Sequence, residues 1–219
     1  MERILEAELM EDLEQVFAYA KADFEKPHKK FVQSIKSLVK NPSFSGNALD
    51  LGCGPGDISY RFAKAFPLCK IDAIDGSRLM IDYAVGTISP ELQARLNFIH
   101  GKLPDTELPK SSYDIIFSNS LLHHLHDPQV FWRTVKKYSK SGTRIAVMDL
   151  LRPGTKKMAK TLVEMYASAE PKILQQDFHN SLLAAFTLEE IKAQIAQAGL
   201  LLSLEKISDR HVFISGLVN

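Results

Sequence analysis

Cysteine is scarce in this chain. Cys53 and Cys69 are the only two among 219 residues, too few for a disulfide scaffold, so a reduced, cytoplasmic setting is expected. Charge of one sign is also missing: 27 basic and 26 acidic residues leave a formal net charge of +1, and no global field favours nucleic acid or an anionic membrane as a partner. No apolar run is long enough for a membrane span. The opening residues carry Glu2, Glu6, Glu8, Glu11, Asp12 and Glu14 against Arg3 alone, the opposite of a basic signal-peptide start. There is no internal repeat and no low-complexity tract. What is present is 45% hydrophobic residues, in a length that suits one domain, 1–219, with a substantial core.

The run Ala48-Leu49-Asp50-Leu51-Gly52-Cys53-Gly54-Pro55-Gly56-Asp57 reads as a short apolar strand that breaks into a glycine-rich turn. Ile58–Phe66 follows as a helix whose free N-terminal amides and positive dipole end would face a bound anionic or polar ligand. A dinucleotide fingerprint needs G-x-G-x-x-G here, and Asp57 stands where its third glycine belongs. The spacing is G-x-G-x-G.

Around this turn, the pattern of apolar residues outlines a fold. Residues up to Lys40 read as two helices divided near Pro27, with Ile4, Leu5, Leu9, Leu13, Val16, Phe17 and Ala20 on one stripe and Phe31, Ile35, Leu38 and Val39 on the next. From Asn47 onward, short apolar runs alternate with amphipathic stretches, which argues for a mostly parallel sheet with helices on both faces. Strands are expected near Ala48–Leu51, Lys70–Ile74, Leu96–His100, Asp114–Ser118, Arg144–Asp149, Leu200–Ile207 and His211–Gly216. Asp127-Pro128 starts a helix, Thr187-Leu188-Glu189-Glu190 is a capping box, and Gly199 closes the helix that follows it. The last two strands are joined only by Ser208-Asp209-Arg210, so they pair as an antiparallel hairpin. The expected fold is therefore α/β, a doubly wound seven-stranded sheet closed by that hairpin. It has an N-terminal helical lid (1–40) and a helical insertion after the fifth strand (152–186), with helices near Lys156–Ala169 and Ile173–Ala185 parted by Pro171.

Three blocks in order carry a family likeness: the glycine run with acidic Asp50 before it, Cys69-Lys70-Ile71-Asp72-Ala73-Ile74-Asp75-Gly76-Ser77, and Tyr113 through Asn119-Ser120-Leu121-Leu122-His123-His124 to Pro128. Together they resemble the class I S-adenosylmethionine (SAM)-dependent methyltransferases. The resemblance implies transfer of the SAM methyl group to a small-molecule acceptor by in-line displacement, with S-adenosylhomocysteine (SAH) as product. It implies that Gly52, Cys53 and Gly54 pass beneath the methionyl part and that Asp50 orients its ammonium, directly or through water. Asp75 would accept both ribose hydroxyls, with Gly76, Ser77 and Met80 beside it. A carboxylate suits a vicinal diol because its two oxygens accept together. The family commonly has an acidic residue for the adenine amino group after the third strand; Lys102 stands there, so Gly101, Lys102 and Leu103 would meet the base through backbone groups, or Asp105 would. Asn119 would face the methionyl group or cap its own turn. Tyr19 and His28 would close over the cofactor, with ordinary packing the alternative for Tyr19.

His123, His124 and His126 invite a metal reading, but adjacent histidines diverge and no acidic or cysteine partner has ligand spacing, so no metal is expected. His124 is the candidate general base, against a packed histidine bonded to backbone. Selectivity is expected in the lid and insertion, where Asp177, Phe178, His179, Asn180 and Phe186 could line a small pocket. Lys26, Lys29, Lys30, Lys156, Lys157 and Lys160 hint at an anionic acceptor or form a solvated face. The Asn/Asp-Pro-Pro-aromatic tetrapeptide of amino-adenine and glutamine methyltransferases is absent, since Ser118-Asn119-Ser120-Leu121 stands there. Two other functions remain open, an NAD-dependent oxidoreductase and a non-catalytic SAM-binding protein. A homodimer is a further open expectation.

Overall fold

The computed structural model describes all 219 residues. A seven-stranded sheet runs β3-β2-β1-β4-β5-β7-β6, with β1 Ser45–Leu51, β2 Leu68–Asp75, β3 Leu96–His100, β4 Ile115–Asn119, β5 Arg144–Leu150, β6 Ser203–Lys206 and β7 His211–Leu217. Strands β1 to β5 pair in parallel; β7 pairs antiparallel with both β5 and β6. The expected α/β architecture is thus observed, hairpin included.

Each face carries its own apolar layer. On one side α2 (Glu25–Val39) and α3 (Asp57–Ala65) contribute Phe31, Ile35 and Phe62 against Ala48, Ile71 and Phe117 of the sheet. On the other, α6 (Gln129–Lys137) and α9 (Leu188–Ala198) contribute Phe131, Trp132 and Ile191 against Leu49, Ile116 and Val147. Successive strand residues alternate faces, so Ala48 and Leu49 feed opposite layers and the parallel strands are apolar throughout. α4 (Arg78–Thr87) and the short α5 (Pro90–Gln93) lead into β3. A third cluster joins α7 (Lys156–Ala167) and α8 (Lys172–Ala184), where Ala159, Leu162 and Leu182 pack with Leu150.

Helix α9 starts at the expected capping box and ends at Gly199 in the left-handed region, φ 69°. Four other boundaries are corrected. Residues 1–11 are not helical. Asp12 caps α1 (Leu13–Lys21) by accepting from Gln15 N at 3.0 Å, and the segment before it is a strap without regular structure in which Leu9 and Met10 are half-buried while Ile4 and Leu5 stay exposed. Ile4 N donates to Leu183 O at 3.1 Å, and Arg3 donates to Ala184 O, His123 O and Leu125 O at 2.5–2.9 Å. Pro27 does not divide the helices. It lies in the first turn of α2, where a missing N–H costs the helix no bond, and the break falls at 22–24. β6 is shorter than expected because Leu200 N still bonds to Ile195 O, ending α9, and the Leu200 side chain is buried. The expected cap of α6 is shifted by one residue: Pro128 takes the N-cap position, and Asp127 before it accepts from Gln129 N.

The order of strands reverses between β1 and β4, and crevices at the carboxyl ends of such strands are where open α/β sheets bind ligands. The glycine turn leaves β1 there, and Asn119 ends β4 beside it.

Candidate cofactor and acceptor site

The glycine turn is built to present backbone. Gly52 has φ 73°, and a Cβ on it would meet the Leu121 side chain at 2.8 Å, so only glycine fits. Gly54, φ 52°, faces open space within 4 Å. The turn is held by Gly52 N and Cys53 N on Ile74 O at 2.9 and 3.0 Å and by Gly54 N on Asp75 Oδ2 at 2.8 Å. The other Asp75 oxygen accepts from Ser77 N at 2.8 Å. Asp75 therefore also ties the glycine turn to the end of β2, with one lone pair on each oxygen left for a ligand. Asp50 beneath the turn is 1% exposed and accepts from Ser59 Oγ at 2.5 Å. Burial pushes its carboxyl up to about 7.

The lid closes from above. Phe24 lies between Tyr19 and His28, with ring centroids 4.9 and 5.1 Å away. His28 Nδ1 sits 2.6 Å from Asp57 Oδ2, and Arg61 links that carboxylate to Glu25 on the lid at 2.7 Å on each side. Asp57, at the position of the absent third glycine, is thus the tie between lid and α3. His28 Nε2 is 3.4 Å from Asn119 Nδ2. Asn119 Oδ1 is buried and has no partner.

These groups surround a cavity of ≈ 250 Å³, lined by every expected cofactor residue except Gly101, Lys102 and Leu103. That part of the expectation is corrected. Gly101 N donates to Asp75 O, Lys102 Nζ pairs with Glu8 of the strap at 3.1 Å, and Leu103 packs against the apolar layer behind β3. The rim is formed instead by Glu8, Leu9 and Met10. Leu9 covers Gly76, and Met10 O accepts from Ser77 Oγ at 2.5 Å. No sequence signal announces these strap residues, because a segment without regular structure carries no period.

A second cavity of ≈ 420 Å³ adjoins the first, and Tyr19, His28, Asn119, Ser120 and His124 line both. Ser120 holds a left-handed φ of 58° at the junction, a conformation that non-glycine residues adopt at a cost. The outer wall is Tyr166, Asp177, Phe178, Arg210 and His211, with the Arg210 guanidinium 3.3 Å over the Tyr166 ring. Asp177 Oδ2 is buried without a partner. Among the insertion residues expected here, Asp177 and Phe178 arrive, whereas His179, Asn180 and Phe186 do not line it. Phe186 is buried beneath the Arg3 guanidinium, 3.9 Å away. Of the six lysines considered, only Lys26 reaches the wall; Lys30 bonds to Ile207 O at 2.7 Å.

The three histidines have three different situations. His123 is 2% exposed, with Nδ1 2.6 Å from Asp149 Oδ1. His126 sits outside, 3.0 Å from Glu6 O. His124 faces both cavities, as a general base would, but burial and the neighbouring His123 push it down to about 3, so it is a weak proton acceptor at neutral pH. The expectation that no carboxylate accompanies them is corrected: Glu6 Oε1 of the strap lies 3.6 Å from His123 Nε2 and 3.4 Å from His124 Nδ1.

The first cavity fits SAM in its chemistry. The space over Gly54 admits a ligand, Asp75 has acceptor capacity for a diol, Asp50 can ionise beside an ammonium, and the orphaned Asn119 Oδ1 awaits a donor. Residues 48–142 match a family model described as a methyltransferase domain. The mitochondrial ubiquinone biosynthesis O-methyltransferase of Schizosaccharomyces pombe is 30% identical over 112 residues, 50% of this chain and 40% of that protein. The chain thus spans about two fifths of the length of this relative. A SAM-dependent methyltransferase from Aquifex aeolicus superimposes with a TM-score of 0.69 at 16% identity, covering 95% of this chain and 100% of its own. The plantazolicin methyltransferase BpumL, in complex with a triazolic desmethylPZN analog and SAH, gives 0.69 at 14% identity, covering 93% and 88%. The methyltransferase-domain match thus spans β1 through β4, with the glycine turn at the switch point of the sheet, and the fold is that of SAM-dependent methyltransferases.

Proposed function

We propose that this protein transfers a methyl group from SAM to a small molecule held in the second cavity. The observation that carries this reading is the meeting of the two cavities at Asn119, Ser120, His28 and His124, because in-line displacement needs donor and acceptor chambers that share a wall. Bound SAM supplies an electrophilic methyl on a sulfonium; the protein's part is to position, to exclude water and to handle a proton. Asp50 orients the ammonium end, Asp75 takes the ribose diol, and the Gly52–Gly54 backbone leaves room between them. The strap seals the rim through Leu9 and Met10, and Phe24 with Tyr19 keeps water from the junction.

His28 is the better-placed proton acceptor. Asp57 at its Nδ1 directs the N–H there, leaving the Nε2 lone pair toward Asn119 and the junction. Tyr166 and Phe178, with Asp177 and Arg210, favour an acceptor that has a flat apolar body and polar substituents. The reading includes a cytoplasmic location, supported by two buried free cysteines; no helix is long and apolar enough to cross a membrane.

Calorimetry with SAH and with NADH tests the assignment, followed by turnover of SAM with a panel of aromatic hydroxyl, amine and thiol acceptors. SAH binding with turnover of any acceptor is the expected result. Binding of NADH alone overturns it, and SAH binding without turnover of any acceptor leaves a SAM-binding protein.

A further inference from the structure

Glu6 belongs to the strap, and His123 and His124 to the single 3-10 turn after β4 (Leu122–His124), yet one ligating atom from each converges within 4.8 Å of the others. His123 is oriented from behind. Asp149 Oδ1 lies 2.6 Å from its Nδ1, while Asp149 Oδ2 accepts from Leu122 N at 2.8 Å. An N–H on Nδ1 toward that carboxylate turns the Nε2 lone pair toward Glu6. The Glu6 carboxylate is fixed on its other oxygen, which accepts from Ser181 Oγ at 3.2 Å. Its Oε1 is buried and makes no hydrogen bond.

His123 Nε2 faces an unpartnered carboxylate oxygen 3.6 Å away, so positive charge, a proton or a cation, lies between them. The spacing suits an ion. Bonds of about 2.0–2.2 Å from a four-coordinate Zn²⁺ to nitrogen and oxygen put neighbouring ligand atoms about 3.4 Å apart, against 3.4 and 3.6 Å from Glu6 Oε1 to the two imidazole nitrogens; His124 Nδ1, which donates to Ala7 O at 3.4 Å, gives up that proton on binding. A carboxylate behind a ligating histidine is also the usual outer support of such sites.

We propose that Glu6, His123 and His124 form a binding site for a divalent first-row cation of the Zn²⁺ type, with three protein ligands and a fourth position open toward the second cavity. Two imidazoles and one carboxylate suit such an ion far better than Ca²⁺ or Mg²⁺, which take oxygen ligands. Both histidines and Ser181 wall the cavity, so a water or a hydroxyl of the molecule held there completes the coordination; the hydroxyl part rests on the acceptor reading above. The bound ion pins the strap to the turn after β4.

The test uses the full chain, stripped with EDTA and dialysed, then titrated with Co²⁺ as a coloured substitute for Zn²⁺. One equivalent of Co²⁺ with visible bands of four-coordinate intensity, displaced by Zn²⁺, is expected, together with slower amide exchange at residues 4–10 when Zn²⁺ is added. Glu6→Gln is expected to weaken Co²⁺ binding about tenfold or more while still binding SAH, which shows that the variant is folded. No Co²⁺ binding by the wild type overturns the site, as does equal binding by Glu6→Gln; either result means a proton fills the gap. SAH is titrated into the same preparations. Co²⁺ binding without SAH binding supports the metal site and removes the methyltransferase reading, so the two failures are distinguishable.

Discussion

The cofactor cavity takes its floor from one contiguous run, Asp50–Asp57, whereas the second cavity takes its walls from the lid, the β4 turn, α7, α8 and the β6–β7 hairpin. The first has at its floor main chain in conformations that favour glycine, at Gly52 and Gly54. The second is made of side chains, Tyr166, Asp177, Phe178 and Arg210, any of which can change without disturbing a strand. With the methyl donor in the first cavity and its acceptor in the second, as proposed above, a change of acceptor would need no change in the sheet.

The largest expected break in this contrast is Gly52→Val. A β-branched residue at φ 73° against Leu121 should cost about 3 kcal/mol of stability, read as a lowered Tm, and abolish SAH binding; an unchanged Tm would mean that the turn tolerates side chains. Next comes Asp75→Ala, which removes both the ribose acceptors and the tie to Gly54, and should weaken SAH by about 2–4 kcal/mol in calorimetry. Unaltered SAH affinity would refute the ribose role. Arg3→Ala removes three hydrogen bonds to carbonyls and should lower stability by about 1–2 kcal/mol with faster amide exchange in the strap. Asp177→Asn should sharpen the comparison from the other side: SAH affinity within about twofold, but a raised acceptor KM, each change of 1.4 kcal/mol being about tenfold. An effect on SAH alone would place Asp177 in the donor half.

The smallest effect is on pH. With burial holding the Asp50 carboxyl up to about 7, the unliganded protein keeps a proton there in mildly acidic solution, and its ionised form is the one that meets an ammonium. SAH affinity should therefore rise by about tenfold or less from about pH 6 to about pH 8, with proton release into the buffer below about pH 7. For the unliganded protein the sign is opposite: a carboxyl raised by folding contributes stability below its ordinary range, and loses it as pH rises through about 7. Asp50→Asn should flatten both profiles.

Sequence reading reached the donor half because its signals are local. A glycine at a forced turn and a capping box each work within a few residues, and Gly52 and Thr187 behave in the structure as read, while Asp75 ends β2 as expected and also holds the glycine turn. It missed the strap because Leu9 and Met10 take their meaning from Gly76 and Ser77, far along the chain. The same holds for Glu6 beside His123, and for Arg210 on Tyr166. Lys102 shows the same dependence on a distant partner: it follows β3 as read, and its side chain pairs with Glu8 of the strap.

The strap's anchors have a consequence for how the molecule is made. Ile4 and Arg3 bond to Leu183 and Ala184, whereas Arg3 also bonds to His123 and Leu125 and Met10 to Ser77, so the strap's docking place is complete only when α8 has been synthesised. During translation the glycine turn and the first parallel strands can assemble while the rim above them stands open. The strap is then made before the crevice it covers and is fully anchored only once α8 is complete, so a nascent chain halted before α8 would hold the rim by fewer ties.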